Sequence, residues 1–299
     1  MRSDEVALWL TPPPFLFRLA RWWYVQGWRG KGAIPRLIGR VFCASMKTAI
    51  RTRSGLLLAV DPQHLDMYCV ISAQGAWDKH VLDQLLNNVR QGDVVYDIGA
   101  NTGNYALEVA AALGDQVTVY AFEPQPSLAD AIRISAELNG FRSVEVNEIA
   151  LCDRVGDATI FVPSHGIHAS LVPREDGATA IHCRAETIDN LVSTRRLRPP
   201  TVIKVDVEGA EMAVLQGGRD TIARHRPVIL FEADENCRRF GYAPSDLCAF
   251  VQDLADYDIR FIDERSEALR PLHDPCSRDM PQRSTREDSG TGHSAPGSY

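Results

Sequence analysis

From Asp97 to Gly103 the chain reads Asp-Ile-Gly-Ala-Asn-Thr-Gly, after an apolar run and before a helix-forming stretch. Gly99 and Gly103 allow positive φ and let the backbone approach a ligand closely. Asp97, ahead of the loop, suits a ligand bearing an ammonium or sulfonium charge. Glu123 ends the next apolar run in Ala-Phe-Glu-Pro, 26 residues after Asp97. A carboxylate at that place can accept the hydrogens of both ribose hydroxyls. The loop lacks the G-x-G-x-x-G spacing that seats a pyrophosphate on a helix N-terminus. A ribose, an adenine, a cationic amino-acid end and no phosphate describe S-adenosylmethionine, and this is the cofactor expected. The bland alternative is an ordinary βαβ turn with two exposed carboxylates.

A second group of charges follows in Val-Ile-Lys-Val-Asp-Val-Glu-Gly-Ala-Glu, residues 202–211. Lys204, Asp206 and Glu208 alternate along a strand end and so share a face. Gly209 permits a sharp exit, and Glu211 falls in the next helical turn. Methyl transfer from a sulfonium needs an acceptor oxygen held in line and its proton removed. Asp206 is the first candidate for that role and Glu208 the second, with Lys204 neutralising them and Glu211 capping the helix as the structural alternative. Asp206, Glu208 and Glu232 could also offer oxygens to Mg²⁺, but no metal is expected. The histidines show no zinc spacing. His165 and His168 lie in a polar insertion read as overhanging the site, and His168 is a further candidate base. Lys79 and His80 read as surface residues.

The elements that must position these groups alternate strand and helix. Strands are predicted at 94–98, 117–122, 144–149, 202–207, 228–232 and 259–262. Helices are predicted at 77–89, 104–113, 126–139, 186–194, 211–216 and 245–254. Residues 159–162 and 180–184 read as an inserted hairpin around the polar stretch 163–177. The whole predicts an α/β, doubly wound, mainly parallel seven-stranded sheet.

These motifs resemble a known family. DIGANTG, AFEP, the stretch Asn147 to Asp153, IKVDVEGAEMAVLQGG (Ile203 to Gly218) and PVILFEAD (Pro227 to Asp234) look like the FkbM family of S-adenosylmethionine-dependent methyltransferases. The resemblance runs from about Trp77 to Ile262 and implies a Rossmann-like methyltransferase fold. It implies that Asp97, Gly99, Asn101 and Gly103 cradle the methionine part, that Glu123 holds the ribose, and that Ala150 lies beside the adenine. It further implies O-methylation of a sugar, a glycolipid or a polyketide-type natural product, so the expected partner is a small-molecule or glycan acceptor. A nicotinamide-dependent oxidoreductase is the alternative enzyme, disfavoured by the missing glycine pattern. A methyltransferase-like binding module without activity is the third reading.

The chain divides into a basic segment (1–53), a catalytic domain with its lead-in (54–273) and a tail (274–299). Residues 1–53 hold ten Lys/Arg and two Asp/Glu, while the rest holds 22 basic and 37 acidic residues. The net charge of −7 argues against a nucleic-acid partner. Four of the five Trp lie in the basic segment. Phe15, Leu19, Trp22 and Trp23 sit there at helical spacing, interleaved with Arg18 and Arg21. Such a helix packs its aromatic face on the main domain, or it lies in a bilayer interface, which would give residues 1–30 a peripheral membrane contact. The tail has no Val, Ile, Leu, Phe or Trp and is expected to be disordered. The seven Cys are scattered without a C-x-x-C pair, so a reducing, cytoplasmic location is expected. The sequence leaves the oligomeric state open.

Overall fold

A computed structural model describes residues 15–27, 32–42, 48–61, 64–74, 78–163, 169–172, 178–263 and 268–271. His165, His168 and the expected tail at 274–299 lie outside the described residues.

Five strands form the central sheet: β3 (Val94–Ile98), β4 (Thr118–Phe122), β5 (Val144–Asn147), β9 (Val202–Val205) and β10 (Val228–Phe231). All pair in parallel, in the order β10-β9-β3-β4-β5. The chain starts at the middle strand, builds outward through β4 and β5, then crosses to β9. The switch between β3 and β9 leaves a crevice at the strand C-terminal ends, where such sheets bind ligands.

Strand alternation sends side chains to two cores. Tyr96, Ile98, Phe122, Ile203 and Val205 pack on one face against α8 (Glu211–Gln216), α9 (Arg219–His225) and α10 (Pro244–Ala255). Val95, Val119, Ala121 and Val202 pack on the other against α4 (Lys79–Asn88) and α5 (Asn104–Leu113). Helix limits follow local chemistry. Asp78 caps α4 by accepting from the Val81 N–H, and α6 (Pro126–Asn139) opens on proline and ends at Gly140 in a left-handed turn.

Among the described residues the central sheet has five strands, where seven were expected. The anticipated closing strand is β11 (Arg260–Asp263), and it pairs antiparallel with β12 (Ala268–Pro271) instead of joining β10. A partner a few residues away closes a shorter loop than a return to the sheet edge. The predicted strand 144–149 ends early, at Asn147. After β5 the chain turns, and β6 (Ala150–Leu151) joins β7 (Gly156–Val162) and β8 (Thr179–Glu186) in a separate three-stranded sheet. The inserted hairpin is therefore present as β7–β8.

The lead-in is pinned to the domain. β1 (Ala49–Arg51) and β2 (Leu57–Ala59) form a hairpin. Asn139 of α6 accepts from the Leu57 N–H and donates to the Leu57 carbonyl, at 2.9 and 2.7 Å. Ser135 Oγ accepts from the Ala59 N–H. α1 (Phe15–Val25) packs beside α2 (Ala33–Phe42) and on α3 (Leu65–Gln74). Its buried face is Phe17 and Ala20, which enter a core with Leu58, Tyr68 and Leu107. Of the aromatic stripe picked out in the sequence, Phe15, Leu19 and Trp22 are exposed beside Arg18 and Arg21, while Trp23 is half-buried. Among the described residues no helix is long and apolar enough to cross a membrane. The five described cysteines are free thiols.

Candidate functional site

The turn after β3 uses left-handed backbone at alternate residues: Gly99 at φ 75, Asn101 at φ 54 and Gly103 at φ 75. Gly99 and Ala100 donate their N–H groups to the Phe122 carbonyl at 3.0 Å, fastening the turn to the end of β4. A Cβ on Gly99 would stand 2.0 Å from the Asp206 carbonyl oxygen, and one on Gly103 would meet Ile132 at 2.8 Å. The glycines thus let the turn sit against β9 on one side and α6 on the other.

Glu123 is buried at the end of β4, and its two carboxylate oxygens hold the surrounding backbone. Oε2 accepts from the Asn101 N–H at 2.8 Å and Oε1 from the Gln125 N–H at 2.9 Å. Burial pushes its pKa up to about 7 against these stabilising hydrogen bonds.

Asp97 is fully buried beneath the turn and stands behind the cleft wall. Its Oδ2 accepts from the Ala106 N–H in the first turn of α5, where the helix dipole favours negative charge. Lys204 Nζ lies 3.6 Å from Asp97 and 3.3 Å from Asp206, and 4.6 Å from the centre of the Tyr105 ring. Burial opposes the lysine charge, but Asp206 and Asp97 outweigh it and hold the ammonium above its ordinary pKa. Burial likewise raises the Asp97 carboxyl above the ordinary range, with Lys204 pulling against it.

After β9 the chain makes a second strained turn, with Glu208 at φ 60 and Gly209 at φ 103. Glu211 organises it. Its Oε1 accepts from the Val207 and Gly209 N–H groups at 3.0 and 3.2 Å, and Tyr242 Oη bonds the Gly209 carbonyl at 2.6 Å. Burial raises the Glu211 pKa to about 7. Asn236 donates to Glu208 at 3.2 Å. The sequence reading gave Glu211 only a capping role and did not reach Tyr242 or Asn236. The E-G-A-E spacing signals the first; the other two come from chain-distant segments and left no signal.

One cleft gathers most of the expected residues. Gly99, Asn101, Glu123, Ala150, Asp206 and Glu208 line it, while Asp97 and Gly103 support it from behind. Asp206 is a third exposed, whereas Glu208 is buried. Ile98, Phe122, Ile149 and Leu151 give it an apolar wall. Asp206, Glu208 and Glu232 also come together, with one oxygen of each within 4.8 Å of the others.

The family profile described as Methyltransferase FkbM domain matches residues 97–259, just over half of the chain. The chain belongs to the FkbM methyltransferase family. Its cofactor is S-adenosylmethionine, and the donor set fits it. Lys204 is the only Lys or Arg among the described lining residues, and it stands between two carboxylates. Among the described lining residues a pyrophosphate would meet only a lysine already set between two carboxylates, while a cationic, phosphate-free nucleoside meets carboxylates and an apolar wall.

Two curated relatives are similar. Hexuronic acid methyltransferase AglP of Haloferax volcanii is 29% identical, over 47% of this chain and 56% of its own. The 31-O-demethyl-FK506 methyltransferase FkbM of Streptomyces tacrolimicus is 28% identical, over 44% of this chain and 62% of its own. This chain therefore spans under two thirds of the length of these relatives. A crystal structure of Methyltransferase FkbM from Methylobacillus flagellatus KT is 19% identical with a TM-score of 0.41, covering 68% of this chain and 51% of that one.

Proposed function

We propose that this FkbM methyltransferase methylates a hydroxyl oxygen on a sugar, a glycolipid or a related natural product. One observation carries the reading: Asp206, partly open to the cleft, is fixed beside the nucleoside turn by the Gly99 contact and by Lys204. The Streptomyces relative, named for a 31-O-demethyl substrate, supports an oxygen acceptor.

Bound S-adenosylmethionine supplies an electrophilic methyl on a sulfonium centre. The rest of the chemistry belongs to the chain. Glu123 keeps lone pairs beyond its two backbone bonds for ribose hydroxyls, and Asn101 and Gly99 shape the path of the methionine part. Ala150 and its neighbours close on the base. Asp206 accepts the proton of the acceptor hydroxyl as the new carbon–oxygen bond forms, and Glu208 orients that hydroxyl. Lys204, 3.3 Å away, fixes the position of the Asp206 carboxylate.

The test is transfer of labelled methyl from the cofactor into an extract of the cells that make the protein, followed by chemical identification of the product. A base- and acid-stable methyl ether is expected. Asp206→Asn should lower turnover by about 100-fold or more, the low end of general-base effects, while sparing cofactor affinity measured by calorimetry. Label on nitrogen or carbon, or full turnover in the variant, would overturn the reading.

We also propose that α1 meets an anionic lipid surface. Phe15, Leu19 and Trp22 make one exposed apolar stripe, and Arg18 and Arg21 flank it with the complementary charge. The location is then cytoplasmic at a membrane face, with residues 1–30 as the docking segment.

A further inference from the structure

A groove opens from the cofactor cleft, and Tyr105, Lys204, Asp206 and Glu208 line both. It runs along β10 and its extension to Asp234, with α4 on one wall and residues 258–262 on the other. We propose that this groove seats the acceptor and selects a polyhydroxyl chain that is neutral or carries amines, rejecting sugars that carry carboxylates. The proposal rests on the O-methyltransferase reading above and assigns the acceptor's charge class.

Continuity gives the place. An acceptor lying in the groove presents its hydroxyl to Asp206, the residue that also borders the cofactor cleft. Chemistry gives the class. Gln84 and Asn88 offer neutral hydrogen-bonding groups, and Phe231 and Phe261 offer apolar surface to the carbon–hydrogen face of a sugar ring. β10 is the last strand of its sheet among the described residues, so its outer edge adds main-chain donors and acceptors. Hydroxyls, being both donors and acceptors, satisfy such a mixture.

Charge gives the selection. Six carboxylates line the groove, among them Asp78, Glu232, Asp234 and Asp258. Lys204 and Arg260 are the only Lys or Arg residues among the described lining. Lys204 stands between Asp97 and Asp206, and Arg260 Nη2 lies 2.8 Å from Asp258. Six carboxylates thus stand against Lys204, Arg260 and the imidazole of His80 in the described lining, so an anionic sugar entering here meets a predominantly negative wall, the arrangement that excludes wrong partners. The Haloferax relative is named for a hexuronic acid, and the groove gives this chain a different preference.

The experiment offers the full-length protein and labelled cofactor three oligosaccharide pools of matched length: a neutral glucan, a deacetylated chitin fragment and an oligogalacturonide. Each is run with a chelator and again with added Mg²⁺, since a cation held by Asp206, Glu208 and Glu232 would change the local charge. Label is expected in the first two pools, with the uronate pool about tenfold lower or less in both conditions. Asp234→Asn, which keeps an N-capping side chain, combined with Asp258→Asn, should raise the uronate-to-neutral ratio about tenfold. Uronate labelling equal to the neutral pool in either condition, or an unchanged ratio in the variant, overturns the proposal. So does label in none of the pools when calorimetry shows the cofactor bound. Failure to bind the cofactor at all would instead overturn the reading beneath it.

Discussion

Asp97 and Lys204 are direct register partners on adjacent parallel strands, and their charged groups meet 3.6 Å apart with both side chains buried. The pair lies under the cofactor turn, so the sheet's own pairing supplies the electrostatic floor of the site. Lys204→Met would leave Asp97 buried without its counter-charge. We expect a loss of about 3–5 kcal/mol in urea unfolding, largely recovered in the double variant with Asp97→Asn. A loss below about 1 kcal/mol would show that the pair does not hold the floor together.

Glu123 serves two masters, the backbone of the turn and the expected ribose. Glu123→Ala removes the acceptor of the Asn101 and Gln125 N–H groups. Cofactor affinity should fall about 100-fold in calorimetry, the order expected for losing charge-assisted hydrogen bonds. Unchanged affinity would place the nucleoside elsewhere.

Stability should depend on pH through Glu123 and Glu211. Burial raises both from an ordinary value of 4.5 to about 7. Between those values the folded protein binds more protons than the unfolded chain. Their contribution is therefore complete below about 4.5 and is lost as pH rises through 7. Melting temperatures of wild type and of Glu211→Gln, measured from pH 5 to 8, should converge toward the acid end and diverge in the variant's favour toward the alkaline end. Parallel curves would contradict the shift.

The outward stripe of α1 predicts binding to vesicles containing anionic phosphatidylserine or phosphatidylglycerol, weakened by salt. Flotation of wild type and of the Phe15→Ser/Trp22→Ser variant measures it. Wild-type protein should float and the variant should remain below. Equal recovery of both at the bottom would leave the stripe to a second protein surface.

Where sequence signals are local, the predicted elements and the described ones coincide. β3, α5, α6 and α8 fall on their predicted residues because glycine, proline and a clear apolar period mark their ends. The turn at 99–103 and Glu123 were legible because two strand ends carried them. What needed tertiary contact was not legible. That Lys204 faces Asp97 depends on β9 lying beside β3. Glu211's hold on the 207–209 turn, and the support from Tyr242 and Asn236, depend on which segments fold over β9. The choice of β12 over β10 as the partner of β11 is a competition between surfaces that no single stretch encodes. The outward face of α1 was ambiguous because both its stripes are apolar.

Gly99 has room for a hydrogen atom, and nothing larger, against the Asp206 carbonyl. The turn after β3 and the turn after β9 are therefore packed backbone against backbone. A side chain added at Gly99 would push on both turns at once, and the two cannot vary independently in sequence.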